Sequence, residues 1–197
     1  VREGVSRSMA RHLVYAPLKY QGLELHNLYT SQGLVHIKRL LNHIWQGTET
    51  GKLLIMSIEY AKLEVGIRGN YFNKDYKIYG HLGEDAWVKH LWRFVFEKGI
   101  QIDDKLKDSS LVREGDSVLS DQFATAYNNG RVTRAEWGKA NKCRIYLQVL
   151  TVGDIATCDG CYIDSGMRKG KKNLSRARNL EWPKQGYPKK TDWYIWS

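Results

Sequence analysis

Apolar residues return at three- and four-residue steps through much of this chain, the spacing of one helix face. From Ser31 onward Leu34, Ile37, Leu41, Ile44 and Trp45 follow it, while His36, Lys38, Arg39, Asn42 and His43 fall mostly on other faces. A second helix is expected from about Lys52 to Val65, with Leu54, Ile58, Ala61 and Val65 on one side. Thr48 or Thr50 is its candidate cap, and Gly66 its stop. The third helix is the most apolar: Trp87, Leu91, Phe94 and Val95 form its face, Val88 and Trp92 widen it, and Gly99 ends it. A fourth is expected from Asp116 to Tyr127, with Leu119, Phe123 and Ala126 inward. A fifth begins at the capping box of Thr133 and Glu136 and carries Trp137, Ala140, Cys143 and Leu147.

The period changes in three places. From Pro17 to Leu25, Leu23 and Leu25 alternate with Glu24 and His26, as in an extended arm. Ile145 to Val152 is β-branched and is expected to unwind toward a strand, and Asp159-Gly160 between short apolar flanks predicts a hairpin. Arg68 to Gly83, rich in Gly, Asn and Tyr, reads as an irregular loop with Tyr71, Tyr76 and Tyr79 as anchors. The expected fold is therefore mainly α: a multi-helix, bundle-like domain with a short β-hairpin and a basic, aromatic-rich C-terminal tail. Its divisions fall at 1–28 (extended arm), 29–152 (helical domain) and 153–197 (hairpin and tail).

Hydrophobic residues make up 42% of the 197 positions, enough for a real core. No apolar run reaches the ~20 residues of a membrane helix, so no membrane partner is expected. An odd number of cysteines, three, points to a reducing compartment, cytoplasm or nucleus. The chain begins with Val1 and reads as a piece of something longer.

Charge sharpens the picture. The net charge is +10, and residues 168–197 hold nine lysines and arginines against two acids. Residues 51–167 balance at sixteen of each. Such a tail either solubilises or binds phosphates, and its aromatics favour the second. Arg168, Lys169, Lys171, Lys172, Arg176 and Arg178 run into Trp182, Tyr187, Trp193, Tyr194 and Trp196. Cations interleaved with rings track a phosphate backbone while stacking bases. Packing of Trp182 and Trp196 onto the helical body is compatible with that role. Lys38 and Arg39 add a second basic surface on the first helix.

Catalytic patterns are weaker. Asp103-Asp104 is the only Asp-Asp pair; it lacks the aromatic of a polymerase hairpin and reads as a polar turn. Cys158-Asp159-Gly160-Cys161 has no second closely spaced pair to complete a zinc site. No catalytic residue, metal ligand or cofactor is assigned.

The stretch from Pro17 to Trp45 resembles the segment that follows the polymerase domain in non-LTR-type retroelement reverse transcriptases. There a lysine precedes a Gly-Gly-Leu-Gly-hydrophobic run and a leucine-rich helix with basic residues; here Lys19 precedes Gln21-Gly22-Leu23-Glu24-Leu25, so Gln21 and Glu24 replace glycines. Arg113-Glu114, the run Asn141 to Gln148, Asp154-Ile155 with Asp159-Gly160, and the closing Trp182-Pro183, Pro188, Trp193 and Trp196 extend the resemblance over most of the chain. It implies a thumb-like or connection-like region that helps to bind RNA or DNA, with the upstream polymerase domain of the same polyprotein as partner. The parent would be an RNA-directed DNA polymerase, and this fragment non-catalytic. The rivals are a stand-alone nucleic-acid-binding module and a structural or protein-interaction domain.

Overall fold

Side-chain caps decide where the long helices start. The Thr48 hydroxyl accepts from the Gly51 N–H at 3.0 Å, and the Glu136 carboxylate accepts from the Thr133 N–H at 2.8 Å. The computed structural model describes residues 8–102, 112–171 and 181–197. Within them run α1 (Arg11–Tyr15), a 3-10 turn (Leu18–Tyr20), α2 (Leu28–Trp45), α3 (Glu49–Val65) and α4 (Tyr76–Tyr79). α5 (Trp87–Glu97), α6 (Leu119–Asn128), α7 (Arg134–Leu147), α8 (Val152–Ile155), α9 (Ser165–Arg168) and α10 (Lys190–Trp196) follow. The mainly helical class is as the periodicity implies.

The main core lies between α2, α3 and α5. Leu40, Ile58, Val65, Leu91, Trp92 and Val95 are its centre, and Tyr71 is buried in it together with Tyr79, which belongs to α4, a short helix inside the stretch expected to be an irregular loop. Gly33 is what brings α2 so close to α5: a Cβ there would lie 2.3 Å from the Phe94 ring. A second cluster joins Leu119, Leu147, Val149, Ile155 and Met167, with Trp193 and Trp196 of α10 packed on it. α10 lies along α7.

Helix faces depart from the sequence expectation where the core lies to one side of the ideal stripe. Trp87 is 43% exposed, because α5 turns Val88 and Trp92 inward and leaves its first residue at the edge. Leu34 and Trp45 of α2 are likewise exposed, since Gly33, Ile37, Leu40 and Ile44 take the inner side. In α6 Ser120 and Ala124 are buried with Leu119, while Phe123 is half-buried.

The expected β-hairpin is a turn without strands. Around Asp159-Gly160 the described residues form one isolated antiparallel bridge, Ala156 to Ile163. Pairing goes no further because α8 ends at Ile155 and α9 starts at Ser165, and the Thr157 hydroxyl holds the turn between them. It accepts from the Tyr162 N–H at 3.1 Å and donates to the Asp159 carboxylate at 2.5 Å, closing the loop locally. The tail, expected to be without regular structure, ends in α10, where the Lys189 N–H donates to the Asp192 carboxylate at 2.9 Å. Helix α7 runs to Leu147, and beyond it Thr151 makes only an isolated bridge to Val118. Asp103-Asp104 lies outside the described residues.

Candidate nucleic-acid interface

Arg168, Lys169 and Lys171 owe their positions to a short helix pinned at both ends. The Asp164 carboxylate accepts from the Gly166 and Met167 N–H groups at 2.7 and 3.1 Å and starts α9. Met167 is buried in the second cluster, and its carbonyl accepts from Trp196 Nε1–H at 3.1 Å. The Lys171 N–H then donates to the Gly166 carbonyl at 2.8 Å and turns the chain. All three cations are left on the solvent side of this anchored turn. Lys172, Arg176 and Arg178 lie outside the described residues.

Lys38 and Arg39 are exposed on the outer side of α2. They belong to the helix that packs on α3 and α5, whereas the α9 cations sit at the α7 and α10 end. Leu34, Lys38 and Trp45 share one side of the helix, at four- and seven-residue steps, so the surroundings of Lys38 are apolar as well as basic.

Trp193 is placed for packing. Its ring lies 5.9 Å from Tyr146, edge to face, and 5.8 Å from Tyr187, and Gly170 sits against it. Its neighbours therefore compete with any stacked base. Tyr187 and Tyr194, beside it in sequence, are the exposed rings of the tail. Trp182 is buried with Leu63, Val118 and Leu150.

A basic pair that the sequence did not single out comes from residues far apart in the chain. Arg134 Nη2–H donates to the Lys77 carbonyl at 3.0 Å, and its Nε–H donates to the Tyr127 hydroxyl at 3.0 Å. The Arg134 guanidinium lies 5.7 Å from the centre of the Tyr127 ring, and Lys77 Nζ lies 5.9 Å from that of Phe96. Both side chains are exposed. The only sequence signal was the Thr133 to Glu136 capping box, which fixes the turn from which Arg134 projects.

Residues 141–148 and Asp154 hold parts of the fold together. Arg144 is fully enclosed: its Nη2 donates to the Leu63 and Glu64 carbonyls at 2.6 and 2.7 Å, and its Nη1 to the Val149 carbonyl at 3.3 Å. Its Nε–H donates to Asn141 Oδ1 at 2.7 Å, and Asn141 Nδ2 donates to the Glu64 carbonyl at 3.0 Å. With the Ser120 hydroxyl on the Val65 carbonyl at 2.8 Å, three consecutive terminal carbonyls of α3 are satisfied by side chains. Burial pushes the Arg144 guanidinium down to about 9, partly offset by Glu64. Asp154 accepts from the Leu150 and Thr151 N–H groups at 2.8 and 3.0 Å. Gln21 and Glu24 both have left-handed backbone, with φ of 59° and 50°.

Cys158 and Cys161 are exposed thiols, and between them the Asp159 carboxyl is held below the usual range by the Thr157 hydroxyl and the Cys161 N–H. Among the described residues no three His, Cys, Asp or Glu side chains are grouped to hold a metal ion, and no helix is long and apolar enough to cross a membrane. Compared with protein-family models, curated proteins and solved structures, the chain matches none.

Proposed function

We propose that this chain is the region downstream of the polymerase core in a retroelement reverse transcriptase, and that it helps to hold the template and primer without catalysing their extension. The observation that carries the reading is the backbone at Gln21 and Glu24. The related segment has glycine at both positions, and glycine is the residue that adopts φ near +55° without steric cost. Two non-glycine residues in that conformation, flanking Gly22, are what a glycine-built arm would leave after substitution. Arg168, Lys169 and Lys171 supply phosphate contacts from a fixed turn, and Lys38 and Arg39 supply a second set.

The test is a titration of RNA and DNA duplexes at two salt concentrations. Substitution of Lys169, Lys171 and Lys172 by alanine is expected to weaken binding to all sequences alike and to flatten the log–log salt slope by about two to three units, because fewer counterions are released. A triple variant with the parent's affinity and slope would end the nucleic-acid reading. A second reading, a protein-interaction domain, draws on the arm, where Leu18, Tyr20 and Leu28 are exposed. In the retroelement reading the upstream polymerase domain covers those side chains.

A further inference from the structure

Helix α3 is apolar on two sides. One side, with Ile58, Ala61 and Val65, enters the core. On the other, Leu53, Met56 and Tyr60 recur at three- and four-residue steps, and Leu53 and Met56 are 63% and 62% exposed. A helix that is apolar around most of its circumference is normally covered on both sides. Here the uncovered side forms one wall of a groove of about 640 Å³, which Trp87 at the start of α5 helps to close.

The groove's charge is opposite to that of the molecule. Glu59, Glu64, Glu84 and Glu181 line it with Lys89, on a chain of net charge +10; Glu59 is paired with Lys62 Nζ at 2.9 Å and Glu64 is buried, which leaves Glu84 and Glu181 exposed. Lys89 is committed locally, its Nζ donating to the Gly83 carbonyl at 2.7 Å. Burial first, then the charges of Glu64, Glu84 and Glu181, push the Tyr60 hydroxyl above its ordinary range. Burial likewise raises the Glu64 carboxyl, and the charge of Glu84 adds to it. The exposed Glu84 and Glu181 would repel a phosphate backbone, and an uncharged apolar partner would bury them without compensation.

We propose that this groove docks a basic amphipathic helix of a partner protein. The partner's apolar side chains lie against Leu53, Met56, Tyr60 and Trp87, and its lysines or arginines meet Glu84 and Glu181. Between Leu53 and Glu64, α3 rises by about 16 Å, room for roughly three turns of a peptide helix laid in the groove. Methionine suits such a surface because its side chain adapts to what it meets.

The probe is a fluorescein-labelled 18-residue leucine–lysine amphipathic peptide, titrated with the full chain by anisotropy beside the same peptide with every lysine replaced by glutamate. The lysine peptide is expected to bind at least about tenfold more tightly, although the chain's overall charge favours the glutamate peptide. Leu53→Ser combined with Met56→Ser, both at exposed positions, is expected to weaken it about tenfold, with unchanged circular dichroism confirming the fold. Glu84→Gln combined with Glu181→Gln is expected to weaken it severalfold and flatten its salt dependence. Equal binding of the two peptides, or parent-like binding by both double variants, overturns the proposal. So does a parent dimer in sedimentation that Leu53→Ser with Met56→Ser abolishes, since the occupant would then be a second copy. Loss of duplex RNA binding in that same variant also overturns it.

Discussion

The junction of α3 with α7 and the arm ahead of α2 solve the same problem in opposite ways. At the junction a charged side chain is buried, and its guanidinium donates to the Leu63, Glu64 and Val149 carbonyls and the Asn141 side chain. In the arm the backbone is satisfied while the apolar side chains stay outside. The Leu23, Glu24 and Leu25 N–H groups donate to Leu13, Ala16 and Val14 carbonyls at 2.9, 2.9 and 3.0 Å, yet Leu13, Leu18, Leu23 and Leu28 are exposed, the last by 80%. Hydrogen bonds alone contribute about 1 kcal/mol each against the entropy of ordering the chain. The junction is therefore self-sufficient, and the arm is ordered but poorly supported. The difference marks the arm, not the junction, as the place where the proposed upstream partner would add burial.

The largest effect expected from breaking this contrast is at Arg144. Arg144→Met keeps the bulk but leaves the Leu63 and Val149 carbonyls without their guanidinium donor and the Glu64 carbonyl with Asn141 alone, at a cost of about 3–5 kcal/mol. Urea unfolding measures the loss, and Cys143 supplies an independent readout from the same helix. Its thiol is buried, and burial pushes it up to about 12, so the reactive thiolate is scarce in the folded state. In the parent, Cys158 and Cys161 should label at once and Cys143 only on unfolding; in Arg144→Met all three should label quickly. A variant as stable as the parent would mean the guanidinium's four partners are satisfied without it.

A smaller and strictly local effect is expected at Gly22. A Cβ there would lie 2.1 Å from the Ala16 carbonyl oxygen, so Gly22→Ala forces the arm open. Amide exchange at Leu23, Glu24 and Leu25 should accelerate by about tenfold or more while α7 amides keep their protection, since the two regions open independently. Global destabilisation on the scale of Arg144→Met would show instead that the arm is part of the core.

The same contrast explains what was legible in the sequence. α3 and α7 were readable because their signals are local: Thr48 and Gly66 bracket one, and the Thr133 capping box starts the other. Which face is buried is a tertiary matter. Trp87 shares a stripe with Leu91 on the helical wheel, but the core lies toward Val88 and Trp92. α10 was missed because its seven residues follow a basic segment and its stability comes from α7, through Trp193 and Trp196, rather than from its own sequence. Arg144 stood in a basic segment like any surface arginine, and nothing local tells that the Leu63 and Glu64 carbonyls, some eighty residues away, converge on it. Of the candidate site, the cations of the α9 turn were legible from composition. The Lys77 and Arg134 pair was not, because it exists only once the start of α7 is brought to the Lys77 carbonyl of α4.

The smallest expected effect tests the arm's ancestry as much as its stability. Glu24 holds φ at 50°, where its Cβ crowds the following carbonyl at a cost of about 1 kcal/mol or more relative to glycine. Glu24→Gly removes that strain but also frees the unfolded chain, which returns roughly 0.5–1 kcal/mol. The two nearly cancel, so the expected gain is a few tenths of a kcal/mol, visible as about twofold slower exchange at the Glu24 and Leu25 amides. Gln148→Gly is the control, because Gln148 is also left-handed at φ 58° but ends α7 inside the supported region. Slower exchange with Glu24→Gly indicates a backbone shape suited to glycine, as in the segment the arm resembles. Faster exchange would mean that the Glu24 side chain itself holds the arm, and the left-handed turn would then belong to this sequence alone.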